Sequence, residues 1–413
     1  MKKKQQIQAY VDTNGNIVLP KEITSRLGFA PGSRFPITEL KDGVQLRRPV
    51  TQLAKVYIEP TNRCNLSCRT CVRNTWDEAQ GDMAQSTFKK IMAGLRKLKP
   101  KPTVFFGGLG EPLAHPDIVE MVRQARLHAS QVELITNGML LDQQLSRQLI
   151  DAGLDVLWLS IDGAHPESYN DVRLGAALPQ VLENAARLRD LRVGGRPHIG
   201  IVFVAMRRNI AELPEVMQIG HRLEADRFLI TNVIPYTPEL LDEMLYTDTM
   251  SIPAPSEPSA LAPHVQLTRI DFSAATIQPV YRIMRAFRAP DPADSGLTPN
   301  RCPFIASGST AIAWNGSVSP CLPLLHTHAS YFGDRRRISR CCVMGNVNDE
   351  PLEAIWGAPE YLGLRERVQA FEFSPCTFCG GCTLSKSNEE DCLGNPFPTC
   401  GGCLWAQGVI RCP

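Results

Sequence analysis

The chain has 413 residues, 21% of them charged, and a formal net charge of +2 at pH 7. This length predicts two or three domains with sizeable cores, and the small net charge gives no bias towards nucleic acid or anionic membranes. The sequence has no apolar run of about 18 residues and no apolar segment behind its basic start, as a signal peptide would have, so we expect a cytoplasmic protein without membrane spans.

Residues 1–50 are predicted to form a separate small β-rich module. Asn-Gly, Pro-Gly and Asp-Gly turns, which favour hairpins, separate strand candidates at Ile7–Val11, Ile17–Leu19, Arg34–Leu40 and Gly43–Arg47. The run from Asp12 to Ser33 resembles the AbrB/MazE-like swapped-hairpin family, whose members dimerise and usually bind DNA. The basic residues are a weak set for a duplex, so a homodimer or partner-docking module is favoured; they are Lys2–Lys4, Lys21, Arg26, Arg34, Arg47 and Arg48.

Residues 51–235 alternate between strand and helix patterns. Short apolar runs typical of buried parallel strands lie at Val56–Glu59, Thr103–Phe106, Val132–Thr136, Val156–Ser160, Ile199–Val204 and Phe228–Val233. Helical patterns lie near Ser86–Leu98, Asp117–His128, Asp142–Ala152, Leu178–Leu191 and Leu213–Leu223. Ser86 and Asp142 are N-cap candidates. These units predict an α/β fold, an open or closed parallel barrel with ligands at the carboxyl ends of its strands.

Three cysteines follow the first of these strands. Cys64, Cys68 and Cys71 have the spacing C-x3-C-x2-C, and the next cysteine is Cys302. A [4Fe–4S] cube normally takes four cysteines, so three thiolates leave one iron open for an outside ligand, like the open position of a catalytic metal site. The alternative is a zinc knuckle or a surface thiol cluster, but zinc prefers four ligands, and no histidine lies between Arg63 and Gln80.

The cysteine spacing closely resembles the signature of the radical S-adenosylmethionine (SAM) superfamily, which implies a partial (β/α)6 TIM-like barrel. The resemblance implies that the open iron takes the amino and carboxylate groups of SAM. It also implies reductive cleavage of SAM to a 5′-deoxyadenosyl radical that abstracts hydrogen from a substrate, with an electron donor such as ferredoxin or flavodoxin. Many members have an aromatic residue before the third cysteine, where this chain has Thr70, so the adenine contact must come from elsewhere.

Polar motifs follow the later strands. The glycines of Phe106–Pro112 allow the backbone to approach a ligand closely. By the resemblance, the residues that bind the SAM amino group are Gly107, Gly108 and Glu111, and those that contact its ribose, carboxylate or methionyl part are Thr136, Ser160 and Asp162. Arg173 can pair with the SAM carboxylate or form a surface ion pair. Asn209 can contact SAM or cap the helix near Ala211.

Residues 236–300 are predicted to form a proline-rich linker with one helix near Ala274–Arg288. Eleven of the fourteen cysteines follow in residues 301–413. In a reducing cytosol they indicate metal ligands rather than disulfides. Cys302, Gly316 and Cys321, with a hairpin that turns at Asn315-Gly316, resemble the start of the SPASM domain, which carries one or two auxiliary [4Fe–4S] clusters. His326, His328 and Asp334 are interpreted as residues that support the fold.

The cysteines of this region are sufficient for two closed clusters, which need eight thiolates. The candidate ligands are Cys302, Cys321, Cys342, Cys376, Cys379, Cys382, Cys392, Cys400, Cys403 and Cys412. Cys341 adjoins Cys342, and the two are not expected to serve one cluster together. The spacing departs from the family pattern, so ligands are not assigned to individual clusters. The alternative is one or two zinc sites, because Cys376/Cys379 and Cys400/Cys403 also fit a zinc ribbon.

The segment Cys400–Gly408 and the N-terminal module together resemble the radical SAM maturases associated with tungsten-cofactor aldehyde oxidoreductases. This resemblance covers essentially the whole chain. It implies a maturase that modifies the tungsten oxidoreductase, its pterin cofactor or a companion peptide. The alternatives are an enzyme that forms thioether or carbon–carbon crosslinks in a protein or peptide substrate, and a non-catalytic iron–sulfur DNA-binding redox regulator.

Overall fold

The computed structural model describes residues 8–29, 35, 37–40, 43–251, 260–261, 265–286, 300–333, 335–377 and 382–413. The N-terminal module has two antiparallel hairpins and a helix, namely β1 (Tyr10–Val11), β2 (Ile17–Val18), α1 (Lys21–Leu27), β3 (Ile37–Leu40) and β4 (Gly43–Leu46). Gly15 has φ 82°, a conformation that the Asn-Gly turn requires. The predicted strand starts Ile7 and Arg34 lie outside the described residues, as do Lys2–Lys4, and the swapped-hairpin dimer stays a prediction.

Six parallel strands and their connecting helices follow. They are β5 (Lys55–Ile58), α2 (Gln85–Lys97), β6 (Thr103–Phe106), α3 (Ile118–His128), β7 (Gln131–Thr136), α4 (Gln143–Asp151), β8 (Val156–Ser160), α5 (Pro166–Val172), α6 (Leu178–Leu191), β9 (His198–Ala205), α7 (Leu213–Arg222) and β10 (Arg227–Asn232). The neighbours among these strands all pair in parallel. The predicted α/β barrel is therefore confirmed, with each strand end within one residue of its prediction.

The rest of the chain adds shorter elements. They are α8 (Thr247–Ser251), β11 (Ala260–Leu261), β12 (Val265–Leu267), α9 (Ala274–Ala286), α10 (Pro303–Ser307), β13 (Ser309–Ile312), β14 (Ser317–Ser319), β15 (His328–Phe332), β16 (Arg335–Ser339), β17 (Gly345–Asn346), α11 (Leu352–Gly357) and α12 (Pro359–Ala370). Short 3₁₀ helices lie at Val72–Asn74, Pro112–Ala114, Ile210–Glu212, Pro238–Glu243, Leu322–Leu324 and Thr383–Lys386. Among the described helices, none is both long and apolar enough to cross a membrane.

Both sides of the six-stranded unit are extended into one sheet of eleven strands, in the order β11-β12-β10-β9-β8-β7-β6-β5-β13-β14-β17. β12 pairs in parallel with β10, and β13 pairs in parallel with β5. The predicted hairpin at Asn315-Gly316 is confirmed as β13 and β14, but it joins the barrel sheet. The helix predicted in residues 236–300 is present as α9, and the described part of this region also contains α8, β11 and β12. The strand β12 was not predicted, because three residues are too few to show a period.

Two of the predicted helix starts can be compared with the structure. Asp142 is the N-cap of α4, and its side chain accepts a hydrogen bond from Leu145 N at 2.7 Å. The prediction for Ser86 is wrong, because α2 begins at Gln85 after Ala84 as the N-cap. Ala84 O already accepts from Phe88 N at 3.0 Å, which places Ser86 inside the first turn.

The two faces of the sheet have different roles. Val56, Ile58 and the equivalent residues of the other strands pack against the helices in the larger core. The opposite, inner face carries large side chains that form a second core with Phe304, among them Tyr57, Phe105 and Trp158. Burial on both faces explains why these strands appear in the sequence as continuous apolar runs. It leaves the loops at the carboxyl ends of the strands as the place for polar chemistry.

The C-terminal segment 404–413 lies on the inner face and bridges β10 and β5. Val409 O accepts from Asn232 Nδ2, and Arg411 N donates to Thr231 Oγ1, both at 2.9 Å. Pro413 O accepts from Lys55 Nζ at 2.8 Å and from Tyr57 Oη at 2.9 Å. The chain itself therefore occupies the interior beside the first residues of β5.

Candidate functional site

The three-cysteine loop lies at the carboxyl end of β5. Cys71 N donates to Cys68 O at 3.1 Å, and Leu66 N donates to the Cys64 sulfur at 3.4 Å. Burial raises the pKa of Cys64 and of Cys68, and negative charge on Cys71 raises both further. The three thiols therefore lie close enough to interact. Among the described residues, no three His, Cys, Asp or Glu side chains are arranged to hold a single metal ion.

Two side chains that sequence reasoning missed donate hydrogen bonds to these sulfurs. Arg73 Nε donates to Cys71 Sγ at 3.4 Å, and its Nη2 donates to Leu66 O at 2.7 Å. Asn137 Nδ2 lies 3.8 Å from Cys64 Sγ and donates to Asn65 Oδ1 at 2.9 Å. Such donors stabilise thiolate ligands and tune the cluster that they hold. A signal was present in the sequence, because Asn137 directly follows the predicted Thr136.

The glycine-rich segment packs directly on the chain that carries the cysteines. A Cβ on Gly108 would lie 2.7 Å from Glu59 Cγ, and one on Gly110 would lie 2.2 Å from Thr61 O. A Cβ on Gly107 would also be too close, at 2.5 Å from the Phe105 ring. Glu111 N donates to the carbonyl of residue 63 at 2.8 Å. These glycines are therefore required for close backbone approach.

Glu111 joins the ends of β6 and β7. Its Oε1 accepts from Thr136 Oγ1 at 2.7 Å and from Leu113 N at 3.1 Å, and its Oε2 accepts from Asn137 N at 2.8 Å. Burial raises the pKa of Glu111, and these hydrogen bonds oppose the shift. The side chain is held rigidly, and its carboxylate has lone pairs left for a cationic ligand.

Asp162 and Arg173 form a buried ion pair. Arg173 Nη2 and Nε lie 2.7 Å and 2.8 Å from Asp162 Oδ2, and the two side chains are only 12% and 1% exposed. The alternative prediction of a surface ion pair is therefore wrong. Burial would lower the pKa of Arg173, but Asp162 outweighs it and raises that pKa. Arg173 in turn lowers the pKa of Cys68, against the larger effect of burial, so this cation lies beside the cysteine loop.

Asn209 connects the carboxyl ends of β8 and β9. Its Nδ2 donates to Asp162 O and to Val204 O, both at 2.9 Å, and its Oδ1 accepts from Met206 N at 2.8 Å. Asn209 is the N-cap residue of the Ile210–Glu212 helix, but its side chain makes no capping hydrogen bond there. The alternative prediction of a cap is therefore correct for its position only. Ser160 is buried at the end of β8, and its carbonyl accepts from Tyr169 Oη at 3.4 Å.

The predicted SAM-binding residues thus follow four adjacent strands, β6 to β9, next to the loop with three thiols. The donor set fits a cluster with one open iron, because three thiols, two N–H donors to sulfur and a nearby guanidinium are all present.

Four cysteines of the C-terminal domain line one cavity. They are Cys302, Cys321, Cys400 and Cys403. Burial raises the pKa of Cys302 to about 12 and raises that of the other three as well. These thiols are therefore protonated without a metal, and metal binding must displace their protons. Four converging thiols fit the ligand set of a closed [4Fe–4S] cluster, and their assembly depends on the fold because the pairs are far apart in sequence.

The other candidate ligands lie outside this cavity. Cys412 Sγ accepts from Trp405 Nε1 at 3.3 Å on the inner face, Cys342 lies 3.7 Å from the Met344 sulfur, and Cys392 bonds to Ser374 Oγ at 2.9 Å. Cys376 lines a second cavity beside Arg335 and Arg337, and Leu384 N donates to Cys382 Sγ at 3.4 Å. Cys379 lies outside the described residues, so the ligand set of a second auxiliary cluster stays a prediction.

Comparisons with protein families identify the two domains in which these cysteines lie. Residues 58–219 match the model of the radical SAM superfamily, and residues 302–383 match SPASM, an iron–sulfur cluster-binding domain. The chain contains a radical SAM domain followed by a SPASM domain. It is a radical SAM enzyme whose barrel domain binds a [4Fe–4S] cluster and SAM and whose SPASM domain binds an iron–sulfur cluster.

Two curated proteins are similar to this radical SAM enzyme over different lengths. The tungsten-containing aldehyde ferredoxin oxidoreductase cofactor-modifying protein of Pyrococcus furiosus is 29% identical over 87% of this chain and 96% of its own length. The PqqA peptide cyclase of Gluconobacter oxydans is 31% identical over 46% of this chain. The matched region covers only 50% of the length of that cyclase.

Solved structures share the fold at low sequence identity. The protein anSMEcpe with bound AdoMet has a TM-score of 0.55 and 16% identity, over 81% of this chain and 84% of its own. Streptococcus suis SuiB bound to precursor peptide SuiA has a TM-score of 0.54 and 15% identity, over 80% of this chain and 72% of its own. At these identities the likeness supports the fold alone.

Gly110→Ala is expected to weaken SAM binding by about tenfold or more, because overpacking at a rigid contact costs about 1–3 kcal/mol. The added methyl would meet backbone oxygens of residues 61 and 63 at 2.2 Å and 2.6 Å. Equilibrium dialysis of SAM against the reconstituted protein measures the effect. Gly363→Ala is the matched control, because no atom lies within 4 Å of its Cβ position. Equal SAM affinity of the two variants would show that the close packing of the glycine-rich segment is not needed for SAM binding.

Cys302→Ala is expected to remove about four iron atoms per chain, since a closed cluster loses one of its four ligands. Formation of 5′-deoxyadenosine from SAM should continue, because Cys64, Cys68 and Cys71 are unchanged. Iron analysis and product chromatography measure the two effects. Cys341→Ala serves as the control and should retain full iron. An unchanged iron content in Cys302→Ala would contradict the four-cysteine assignment.

Proposed function

We propose that this radical SAM/SPASM enzyme is a maturase for a tungsten oxidoreductase and modifies that enzyme, its cofactor or a companion peptide. The supporting observation is the length of the similarity to the Pyrococcus furiosus cofactor-modifying protein, 96% of which is covered. The similarity is therefore not confined to the SAM-cleaving barrel, in contrast to the peptide cyclases, where it spans about half of each chain.

In this proposal each site residue has a defined task. Cys64, Cys68 and Cys71 hold the cluster, and Arg73 and Asn137 donate to its sulfur ligands. When bound and reduced, the cluster supplies the electron that cleaves SAM to methionine and a 5′-deoxyadenosyl radical for hydrogen abstraction. The segment with Gly107, Gly108 and Glu111 binds the SAM amino group.

The remaining residues of the barrel rim orient SAM. Asp162 Oδ2 accepts hydrogen bonds from Nε and Nη2 of Arg173. In this proposal the remaining nitrogen of the guanidinium, Nη1, binds the SAM carboxylate. Thr136 fixes Glu111, Asn209 fixes the ends of β8 and β9, and Ser160 lies beside them. Their burial excludes water from this edge of the barrel.

The organisation of the whole chain is part of the proposal. Residues 1–50 form an AbrB/MazE-like module that mediates homodimerisation or partner docking, and 51–235 form the radical SAM core. Residues 236–300 connect it to the auxiliary-cluster domain at 301–413, which relays electrons or binds substrate. The protein acts in the cytoplasm with ferredoxin or flavodoxin as the electron donor.

The test begins with anaerobic reconstitution and reduction by dithionite in the presence of SAM. The enzyme should form 5′-deoxyadenosine, and addition of the tungsten oxidoreductase should give a SAM-dependent mass change in that enzyme or its extracted cofactor. Cys68→Ala is the control that should give neither. No SAM cleavage at full iron loading would contradict an enzymatic role and favour the redox regulator.

A second candidate function is the crosslinking of a peptide. It is supported by the 31% identity to the PqqA peptide cyclase within the barrel. Mass spectrometry of a companion peptide incubated with enzyme and SAM separates the two candidates. A loss of two hydrogens from the peptide, with the oxidoreductase and its cofactor unchanged, would favour crosslinking.

A further inference from the structure

A buried histidine of the C-terminal domain contacts the SAM-binding barrel. His326 Nε2 lies 2.8 Å from Glu59 Oε2, and the two side chains are only 6% and 0% exposed. On its other side, His326 Nδ1 lies 3.8 Å from Glu78 Oε2. The Trp76 ring packs edge-on against the imidazole, with centroids 4.8 Å apart. The histidine thus lies between two carboxylates that flank the three-cysteine loop in sequence.

Glu59 connects this histidine to the glycine-rich segment. Its Oε1 accepts a hydrogen bond from Leu109 N at 3.0 Å, and its Cγ would lie only 2.7 Å from a Cβ on Gly108. Its backbone N donates to Ile312 O at 2.9 Å. The Glu59 side chain is therefore packed between the glycine segment and His326, and a change in its position must move one of them.

We propose that His326 is a positioning residue for SAM, which holds Glu59 and, through it, the segment Gly107–Glu111 in the conformation that binds SAM. The inference rests on the proposed assignment of that segment to the SAM amino group. Glu78 Oε1 also accepts a hydrogen bond from Thr327 N at 3.1 Å. Residues 326–327 therefore contact both Glu78, which follows the cysteine loop, and Glu59, which contacts the glycine-rich segment. The auxiliary-cluster domain thereby sets the geometry of SAM binding.

Among the described residues, the titratable side chains that face His326 are Glu59, Glu78 and His328. Burial alone would lower the pKa of His326, but the two carboxylates outweigh burial and raise it above 6.5. The charged histidine therefore stabilises the contact fully below pH 6.5, and this contribution is lost as pH rises through the raised pKa. SAM affinity should fall over the same pH range.

The experiment measures the Kd of SAM by equilibrium dialysis with reconstituted protein at several pH values from about 6 to about 9. His326→Gln should weaken SAM binding by about tenfold at the acidic end, as expected for the loss of a buried charged hydrogen bond, and should flatten the pH dependence. Its iron content should equal that of the wild type. His165→Gln is the control, since its ion pair with Glu215 is exposed, and it should bind SAM like the wild type.

A second variant keeps the test independent of folding defects. Glu59→Gln should weaken SAM binding similarly, and the double variant should be no weaker than either single one, because two residues that act as one unit are not additive. Wild-type affinity and pH dependence in fully iron-loaded His326→Gln would overturn this inference. Absence of SAM binding by the fully loaded wild type would instead overturn the proposed function.

Discussion

Cys68→Ala is expected to abolish reductive cleavage of SAM, with a fall of about 100-fold or more in 5′-deoxyadenosine formation. The three-cysteine loop has no spare ligand, since the next cysteine in the sequence is Cys302. Loss of one thiolate therefore releases a cluster and about four iron atoms per chain. Product chromatography, iron analysis and the absorbance of the reconstituted protein measure these effects together.

The control for this prediction is Cys341→Ala, because Cys341 lies in the C-terminal domain and is not among the proposed ligands. It should retain wild-type iron and SAM cleavage. Persistent cleavage in Cys68→Ala would contradict the assignment of the SAM cluster to this loop. Loss of cleavage in both variants would point to a general defect in folding.

Asp162→Ala is expected to destabilise the protein by about 3–5 kcal/mol, because it leaves the buried Arg173 without its counter-charge. Asp162 also accepts from Val204 N at 2.8 Å, and this hydrogen bond is lost as well. SAM binding should weaken too, since Arg173 loses the partner that orients it. Chemical denaturation followed by circular dichroism measures the change in stability.

Asp171→Ala is the matched control for the buried pair. Asp171 forms ion pairs with Arg69 and Arg208, but its side chain is 42% exposed. Exposed ion pairs contribute only about 0–1 kcal/mol, so this variant should unfold near the wild-type midpoint. Equal destabilisation by the two substitutions would show that burial does not govern the effect at Asp162.

The barrel strands could be predicted because each is a short apolar run buried on both faces. The residues at their carboxyl ends could be predicted too, since Thr136 is the last residue of one such run and Asp162 lies two residues after the end of the next. In parallel sheets those ends meet at one edge. The close backbone approach at Gly110 could be predicted only in part. The sequence shows the glycine, but not that the carbonyls of residues 61 and 63 lie against it.

Contacts between distant parts of the chain could not be predicted. Glu59 and His326 are 267 residues apart, and no periodicity or spacing connects them. The cavity that gathers Cys302 and Cys321 with Cys400 and Cys403 is likewise a product of tertiary folding. Strand β12 was missed for the same reason, because its three residues become a strand only through pairing with β10.

The C-terminal segment that bridges β10 and β5 fills the barrel interior beside the first residues of β5. Pro413 O bonds to Lys55 and Tyr57, so among the described residues the chain itself occupies this part of the interior. The carboxyl ends of the strands are then the side from which a substrate would enter. Substrate and product would then pass the same edge of the barrel. A macromolecular partner bound at that edge would shield a radical from solvent while it stayed bound, and turnover would be coupled to its dissociation.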